Sequence, residues 1–438
     1  MAMLRRKYAR AYLHLLVLVL LPCCGFQRCC EATQSKPVDE ARLLLQIKSA
    51  WGDPPVLLAW NATASAALCG WPYVRCNRAG RVSGLYLADV NVSGPFPDAI
   101  ATLSRLRHLD LWNNSIAGVF PTSLYRCRSL KYLDLSMNHF IGELPADIGL
   151  GLSESLTTLY LTRNRFNGTI PHSLSRLHNL RFLGLDSNFF VGTIPAELGE
   201  LTSLQELYLG DNSFAAGELP ASFSKLTNLT ILDVWSCNLV GDFPTFLVQM
   251  PELEILDLAN NSLTGSIPPG IWRLNKLQYL YLSDNNFSGE IPASIARLPS
   301  LTDLDLGNNR FNGTLPPELG KHSLGLKYVS VDNNDFSGEI PASIARLPSL
   351  TYLQLGNNCF NGTLPPELGK HSLDLGTVSV DNNDLTGAIP EGLCTGGNIW
   401  FFTASSNRLN GSIPAGLANC PSLSKLRLDS NQLSGQVP

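Results

Sequence analysis

Charged side chains are few in this sequence of 438 residues, and neither sign dominates. There are 32 Lys and Arg residues against 36 Asp and Glu residues, which gives a formal net charge of −4. Because basic and acidic residues are mixed along the chain, no basic stripe is available to neutralise a phosphate backbone. The sequence therefore predicts no nucleic-acid partner.

Glycine and proline are too scarce for a disordered or collagen-like chain. The 36 glycines and 28 prolines make up about 15% of the residues, below the roughly 25–30% typical of low-complexity chains. Hydrophobic residues account for 45% and charged residues for 16% of the sequence. This composition indicates an ordered, soluble protein.

Motifs for catalysis and metal binding are also absent. The sequence has no G-x-S-x-G, H-E-x-x-H or C-x-x-C, and it lacks the H-R-D and D-F-G elements of protein kinases. The seven histidines are scattered, and Asp303 and Asp305 are expected to lie exposed on one strand, where nothing raises a pKa. We therefore predict no enzymatic activity, no cofactor and no metal site in this chain.

A long apolar run is missing as well, except for a short one near the N terminus. Tyr12–Leu21 follows four basic residues and has about half of the roughly 20 residues that a membrane-spanning helix needs. This pattern predicts a signal peptide over residues 1–32, with cleavage after Ala32 favoured over cleavage after Gly25. An uncleaved anchor is the alternative. We expect a secreted, extracellular protein, or one at the plasma membrane if a longer parent protein continues into a membrane helix.

The cysteines beyond residue 32 suggest disulfides. Cys69 and Cys76 are separated by six residues, which suits a disulfide in a small domain of an oxidising compartment, and a metal site is the weaker alternative. Cys394 and Cys420 lie 26 residues apart. They form a second disulfide if their Cα atoms fall within about 4.4–6.8 Å of each other.

A repeat of 24 to 26 residues dominates the rest of the sequence. The pattern L-x-x-L-x-L-x-x-N-x-I-x-G-x-x-P is defined by Leu106, Leu109, Leu111, Asn114, Ile116, Gly118 and Pro121. Its Asn position recurs at Asn138, Asn164, Asn188, Asn212, Cys237, Asn261, Asn285, Asn309, Asn334, Asn358, Asn383, Asn407 and Asn431. This period is typical of leucine-rich repeats, in which Cys can replace the Asn. With an atypical first unit from Val82, we count fifteen repeats, the last one incomplete at Pro438.

Each repeat has a simple physical interpretation. The leucines point inward from a short strand and the turn before it, and the Asn side chain hydrogen-bonds main-chain groups of its own and the adjacent coil. A single coil cannot bury its apolar side, whereas a stack of coils can. Cys237 at an Asn position is therefore expected to be buried and inert.

The second half of most repeats reads G-x-I-P or G-x-L-P, as in Gly168–Pro171. This resembles the plant-type extracellular leucine-rich repeat, which implies an α/β solenoid: a twisted superhelix with a parallel sheet on its concave face and an extra short strand beside that Pro. Trp71–Cys76 resembles the family's W-x-G-V-x-C cap motif with Tyr73 in place of Gly. The resemblance implies a helical, disulfide-linked N-terminal cap over residues 33–81, followed by repeats over residues 82–438.

Strand residues between the inward leucines are expected to face outward on the concave side. The aromatic ones are Trp112, Tyr132, Tyr160, Tyr208, Trp235, Tyr279, Tyr281, Tyr328 and Tyr352. They are interleaved with Asp110, Asp134, Asp211, Asp233, Asp257, Asp303 and Asp305. Such a surface suits an extended peptide with cationic and apolar side chains. We predict these aromatic residues and Asp303 as ligand-binding residues, although aspartate between strand leucines is also common in the repeat framework.

Two repeats have been copied as a block. Glu290–Gly338 and Glu339–Gly387 are identical except at eight positions. Three of the changes fall on outward strand positions, which either surface drift or an altered ligand preference would explain. Another places Cys359 where the first copy has Arg310, so we expect an exposed, unpaired thiol there.

Ten Asn-x-Ser/Thr sequons predict an N-glycosylated protein. They begin at Asn61, Asn91, Asn113, Asn167, Asn228, Asn260, Asn286, Asn312, Asn361 and Asn410. None of them coincides with a repeat Asn. Asn113 and Asn260 fall next to the concave strands, where occupancy is least certain.

The whole pattern resembles the ectodomains of plant leucine-rich-repeat receptor-like kinases, and it is most similar to the HAESA-like, peptide-sensing group. The resemblance implies that the concave face binds a secreted peptide or another apoplastic protein, with a co-receptor kinase joining near the C-terminal repeats. Some of these receptors hold the peptide carboxylate with R-x-R, but Thr403–Ser405 and Arg427–Asp429 lack that motif. Because the chain stops inside a repeat, we expect it to be part of a longer receptor.

The alternative is a secreted defence protein similar to polygalacturonase inhibitors. These proteins use the same repeats to block fungal wall-degrading enzymes, but they are usually shorter and end in a cysteine cap.

Overall fold

A short strand recurs in every repeat. Alternate residues of a strand face opposite sides, so each strand can place one apolar residue inward between two outward residues. The computed structural model describes residues 39–61 and 68–437; the predicted signal peptide lies outside the described residues. Fifteen repeat strands and one cap strand form a single sheet, here called the concave sheet. Its strands are Val74–Cys76, Val82–Tyr86, His108–Asp110, Tyr132–Asp134, Thr158–Tyr160, Phe182–Gly184, Glu206–Tyr208, Ile231–Asp233, Ile255–Asp257, Tyr279–Tyr281, Asp303–Asp305, Tyr328–Ser330, Tyr352–Gln354, Thr377–Ser379, Phe401–Thr403 and Lys425–Arg427.

The register of the concave sheet stacks equivalent residues of neighbouring coils. The repeat strands are all parallel, and Leu109, Leu133 and Leu159 are successive partners. These leucines are fully buried. Only the cap strand Val74–Cys76 runs antiparallel to its neighbour. The predicted solenoid of fifteen repeats with a parallel concave sheet is thus confirmed.

A second short strand follows the concave strand in most coils, as the plant-type repeat implied. These lateral strands form separate sheets of five, two, four and two strands. They are Ser93–Pro95, Ser115–Gly118, His139–Glu143, Arg165–Thr169 and Phe189–Val191; Val240–Asp242 and Ser262–Thr264; Ser288–Glu290, Arg310–Gly313, Asp335–Glu339 and Cys359–Asn361; and Asn410–Gly411 and Gln432–Leu433.

The remaining side of most coils is a single helical turn that follows the repeat Pro, whose fixed φ suits a helix start. The 3₁₀ turns are Pro55–Leu57, Asp98–Thr102, Thr122–Arg126, His172–Arg176, Ala196–Glu200, Ala221–Lys225, Thr245–Gln249, Pro269–Arg273, Ala293–Arg297 and Ile344–Arg346. The α-helices are Glu40–Ala50, Ile148–Gly151 and Ala415–Ala418. One or two residues of each 3₁₀ turn are buried in the core.

The repeat asparagines form a hydrogen-bond ladder through the core. The Asn138 Nδ2 donates to the carbonyl oxygens of Leu111, Leu135 and Ser136 at 2.8, 3.1 and 3.0 Å. Its Oδ1 accepts the N–H of Ile116 at 2.9 Å. Each such side chain therefore ties its own turn to the preceding coil, which confirms the predicted role.

The ladder is interrupted at Cys237. Its Sγ lies 3.4 Å from the Leu209 oxygen and 3.6 Å from the Trp235 oxygen, but a thiol cannot replace the carbonyl oxygen of an Asn side chain. The lateral strands break at the same place, where a lone bridge joins Gly217 to Leu239. Cys237 is buried, as predicted.

The N-terminal cap is fastened to the first coil by a buried carboxylate. Glu40, 3% exposed, accepts hydrogen bonds from the Arg81 Nε and the Val82 N–H, both at 2.8 Å. The predicted disulfide joins Cys69 and Cys76, whose Cα atoms lie 5.5 Å apart. Residues 33–38 of the predicted cap lie outside the described residues.

Tyr73, which replaces the glycine of the cap motif, keeps a glycine-like backbone. Its φ of 67° is left-handed, a conformation that costs a non-glycine residue about 1–2 kcal/mol. The cap turn is therefore retained despite the substitution, and it carries local strain.

The other cysteines occupy distinct environments. Cys394 and Cys420 are joined by a disulfide, with their Cα atoms 5.9 Å apart. Cys127 is a buried free thiol, and Cys359 is an exposed free thiol. The expectation that Cys359 is exposed and unpaired is thus confirmed.

Candidate functional site

The outward residues of the concave sheet form two columns. The first column precedes the central inward residue of each strand and consists of Gly84, His108, Tyr132, Thr158, Phe182, Glu206, Ile231, Ile255, Tyr279, Asp303, Tyr328, Tyr352, Thr377, Phe401 and Lys425. The second column follows that residue and consists of Tyr86, Asp110, Asp134, Tyr160, Gly184, Tyr208, Asp233, Asp257, Tyr281, Asp305, Ser330, Gln354, Ser379, Thr403 and Arg427. Parallel pairing without shifts keeps each column straight from coil to coil.

The predicted aromatic residues divide between these columns and a third position. Tyr132, Tyr279, Tyr328 and Tyr352 lie in the first column, and Tyr160, Tyr208 and Tyr281 lie in the second. Trp112 and Trp235 lie beyond their strands, in the turns that follow. All nine are half-buried, which leaves part of each ring available to a ligand.

Trp235 lies flat against the neighbouring coil. A Cβ atom placed on Gly210 would be 2.2 Å from the Trp235 Cδ1, so only glycine leaves room for the indole there. Two pairs of tyrosines also meet: Tyr279 and Tyr281 have ring centroids 6.2 Å apart, and Tyr328 and Tyr352 5.7 Å apart.

Several concave residues were missed by the sequence analysis. Phe182, Ile231, Ile255 and Phe401 are half-buried in the first column. Ile231 and Ile255 fill the interval between the tyrosines of the earlier and later coils. Their position immediately before the central leucine was the signal that could have identified them.

A three-ring stack near the cap was also missed. The His108 ring lies 4.2 Å from Tyr86 and 4.0 Å from Tyr132, centroid to centroid, and is nearly parallel to both. Burial lowers the pKa of His108 to about 4. The imidazole is therefore neutral at ordinary pH and serves as an aromatic surface.

The expectation that the concave aspartates face the ligand is wrong for most of them. The buried carboxylates belong to Asp110, Asp134, Asp233, Asp257 and Asp303, which are 3–7% exposed. Asp110, Asp134, Asp233 and Asp257 follow the central residue of their strands, and each carboxylate accepts the N–H two residues later, as Asp134 accepts the Ser136 N–H at 2.8 Å. These side chains hold the turn after the strand. Asp211 alone of the predicted set is fully exposed.

Asp303 and Asp305 are accordingly not an exposed acidic pair. Asp303 is buried and is withdrawn as a ligand-binding residue. Asp305 is half-buried and accepts the Gly307 N–H at 3.2 Å. Burial raises the pKa of Asp305 to about 6, which corrects the expectation that nothing raises a pKa on this strand.

The late coils have no R-x-R, as the sequence indicated. At one of the corresponding positions, the hydroxyls of Thr403 and Ser405 donate hydrogen bonds to Asp381. Asp381 accepts hydrogen bonds from the Ser405 N–H at 2.7 Å and the Ser405 Oγ at 2.6 Å. The Thr403 Oγ1 also donates to it. This cluster ties two coils together.

Four predicted glycosylation sites occupy outward positions of lateral strands and are exposed: Asn167, Asn312, Asn361 and Asn410. Asn61, Asn91, Asn228 and Asn260 are also exposed, whereas Asn113 and Asn286 are half-buried. The Asn113 Nδ2 donates to the Asp89 Oδ1 at 2.6 Å. The sites therefore differ in how readily the structure accommodates a glycan.

Membrane-spanning helices and metal-binding clusters are both absent from residues 39–61 and 68–437. No helix in these ranges is long and apolar enough to cross a bilayer. Nor do they bring together three or more His, Cys, Asp and Glu side chains that could hold a metal ion.

Family models match most of the chain. A model described as "Leucine rich repeat" matches residues 81–140, 154–214 and 227–287. A second repeat model of the same description matches residues 203–226, 300–322, 325–347 and 349–371. The "Leucine rich repeat N-terminal domain" matches residues 38–77.

Solved structures with this fold include plant receptor ectodomains. The crystal structure of a TDR receptor is 37% identical, with a TM-score of 0.75, over 80% of this chain and 60% of that one. The ectodomain of the Arabidopsis receptor kinase HAESA, in complex with an IDA peptide hormone, is 34% identical with a TM-score of 0.71, over 91% and 74% of the two chains. HAESA has also been solved with IDA and the co-receptor SERK1. The HAESA structure with the extended IDA peptide is that of the leucine-rich-repeat ectodomain.

A curated relative represents a different class of protein. Polygalacturonase inhibitor 1 of Oryza sativa subsp. japonica is 38% identical over 77 residues, which is 17% of this chain. The match spans only 23% of that inhibitor.

Proposed function

Because the chain belongs to the leucine-rich-repeat family and shares its fold with plant receptor-kinase ectodomains, we propose that it is an extracellular ligand-recognition domain. It binds a secreted peptide on the concave face for signalling, in the apoplast or at the plasma membrane. The observation that carries the proposal is the pair of straight columns on the concave sheet, in which half-buried aromatic and aliphatic side chains recur from Tyr132 to Phe401.

The geometry suits an extended peptide. Adjacent parallel strands stand about 4.8 Å apart, so the coils from Tyr160 to Tyr281 present a surface some tens of Å long. An extended peptide of about ten residues, at roughly 3.3 Å per residue, is long enough to cover this surface. The HAESA ectodomain, which has this fold, has been solved in complex with a peptide hormone. The HAESA structure that also contains the co-receptor SERK1 supports a co-receptor kinase as a further partner of this chain.

The test is binding of ten-residue peptides, selected from a random library, to the purified secreted chain. We expect the Trp235→Ala, Tyr281→Ala double variant to weaken binding by about 1–4 kcal/mol. The fold should be kept because neither side chain belongs to the hydrophobic core of the coils. Trp272→Ala is the matched control, since Trp272 is exposed on a helical turn away from the concave sheet.

Two outcomes would contradict this proposal. One is that no peptide is selected above background. The other is that selected peptides bind the double variant and the wild type equally well while the circular dichroism spectra coincide.

A second candidate is inhibition of a polygalacturonase, and the rice inhibitor's similarity supports it. The chain would then reduce the release of reducing ends from polygalacturonate by fungal endopolygalacturonases. An unchanged rate at saturating concentrations of the chain, over a panel of fungal enzymes, would exclude this function.

A further inference from the structure

Glu206 is a half-buried carboxylate in the first concave column that the sequence analysis did not single out. Its Oε2 accepts hydrogen bonds from two tyrosine hydroxyls, from Tyr208 at 3.0 Å and from Tyr160 at 3.3 Å. Tyr160 lies 46 residues earlier in the chain, two coils away. The three side chains therefore form one cluster that spans three coils of the concave sheet.

Gly184 makes this cluster possible. It is the register partner of both Tyr160 and Tyr208, and so lies between them in the second column. A Cβ atom at this position would be 2.6 Å from the Tyr160 Cδ1. Without that atom the Tyr160 ring can lie across the intervening coil and reach Glu206.

The tyrosines are fixed as hydrogen-bond donors. Burial, followed by the nearby Glu206 carboxylate, raises the pKa of both Tyr160 and Tyr208 well above its usual value. Both hydroxyls therefore keep their protons. A carboxylate is an acceptor with about four lone-pair positions, and both hydroxyls donate to the same one of the two Glu206 oxygens.

The surroundings of the cluster are acidic and apolar. The carboxylates of Asp134 and Asp186 are close enough to Tyr160 to contribute to its raised pKa. Ile231 is the next residue of the first column after Glu206. The guanidinium of Arg181, at the edge of the sheet, donates a hydrogen bond to the Gln205 Oε1 at 2.9 Å.

We propose that Glu206, Tyr160 and Tyr208 form a subsite for a cationic group of the ligand, either an ammonium or a guanidinium. The carboxylate supplies the counter-charge, and the two ring faces supply the aromatic surface that favours a cation. Ile231 and Ile255, next in the column, would contact the apolar side chains that follow. This subsite rests on the proposed function and specifies the chemistry of the ligand at one position.

Small probes test the subsite without any peptide. Nα-acetyl-lysine amide carries only a side-chain ammonium, Nα-acetyl-arginine amide a guanidinium, norleucine amide a terminal ammonium, and Nα-acetyl-norleucine amide no charge. Saturation-transfer NMR with the full chain should give stronger signals for at least one cationic probe than for the neutral one. The cationic probe with the strongest signal shows whether the preferred group is a side-chain ammonium, a guanidinium or a terminal ammonium.

Glu206→Gln keeps the shape and removes the charge, and we expect it to raise the Kd of the preferred cationic probe about tenfold. Glu254→Gln is the matched control: it makes the same change in a half-buried carboxylate on a concave edge, bonded to Gln278 at 3.1 Å. Equal signals from charged and neutral probes, or the same loss in both variants, would overturn the subsite.

The two proposals fail in different ways. If library peptides bind and need Trp235 and Tyr281, but the probes do not distinguish Glu206→Gln from wild type, the peptide function stands and the cationic subsite is wrong. If the probes depend on Glu206 but no peptide is selected, the subsite stands and the peptide proposal is wrong.

Discussion

Asp110 and Asp134 are direct partners in neighbouring strands of the concave sheet, and both carboxylates are buried. Burial raises the pKa of Asp110 to about 6. Burial, followed by the charge of Asp110, raises the pKa of Asp134 to about 7. Two carboxylates thus share a position where burial disfavours the ionised form, and the main-chain N–H that each accepts from the following turn only partly offsets this effect.

The first prediction concerns the pH dependence of stability. The carboxyl pKa of Asp134 is 3.8 in the unfolded chain and about 7 in the folded protein. Between these two pH values the folded state binds more protons than the unfolded state. The contribution of Asp134 to stability therefore falls as pH rises through this window. Asp134→Asn removes the effect while keeping an acceptor for Ser136. We expect the variant to gain stability over wild type between pH 4 and pH 7.5, by up to about 4 kcal/mol.

Urea unfolding followed by circular dichroism at both pH values measures this gain. Asp374→Asn provides the control, because Asp374 is exposed and its replacement should change stability equally at the two pH values. A difference between Asp134→Asn and wild type that does not vary with pH would contradict the prediction.

The second prediction compares two positions of the asparagine ladder. Asn138→Ala removes four hydrogen bonds to buried main-chain groups and should lower the free energy of unfolding by about 1–3 kcal/mol. Cys237→Ala, at the equivalent place, removes only weak thiol contacts and should cost less than about 1 kcal/mol. Urea unfolding measures both, and equal losses would show that the ladder amides are not the source of the stability.

The third prediction concerns the thiols. Mass mapping without reduction should find the Cys69–Cys76 and Cys394–Cys420 disulfides. In the native protein a maleimide should label Cys359 alone among the three free cysteines beyond residue 38. Burial raises the pKa of Cys127 to about 11, and Cys237 is equally inaccessible, so both should react only in urea. Native labelling of either buried thiol would contradict the packing of its coil.

The fourth prediction concerns the attachment of the cap. Glu40→Gln removes the charge that holds Arg81, so we expect faster amide exchange in helix Glu40–Ala50, equivalent to about 1–3 kcal/mol of local stability. Glu197→Gln breaks an exposed contact with His172 instead, which should have little effect. Hydrogen exchange with mass spectrometry compares the two, and unchanged protection of the helix in Glu40→Gln would show that this carboxylate does not hold the cap.

The sequence by itself determined the architecture. Leucines such as Leu109, together with one Asn per coil, recur at a constant spacing, and each coil needs the same inward residues to close its core. The count of fifteen coils and the Cys69–Cys76 pair follow from local patterns of this kind, and the lateral strands follow from the resemblance to the plant-type repeat.

Tertiary structure decided which outward residues are accessible. Alternation along a strand places Asp134 and Tyr160 at the same outward position, yet Asp134 is buried because its carboxylate turns back to the Ser136 N–H. The cluster of Tyr160 with Glu206 depends on the stacking of three coils and on the missing side chain of Gly184. Such contacts join residues that are distant in the chain, so the sequence pattern of any one repeat does not contain them.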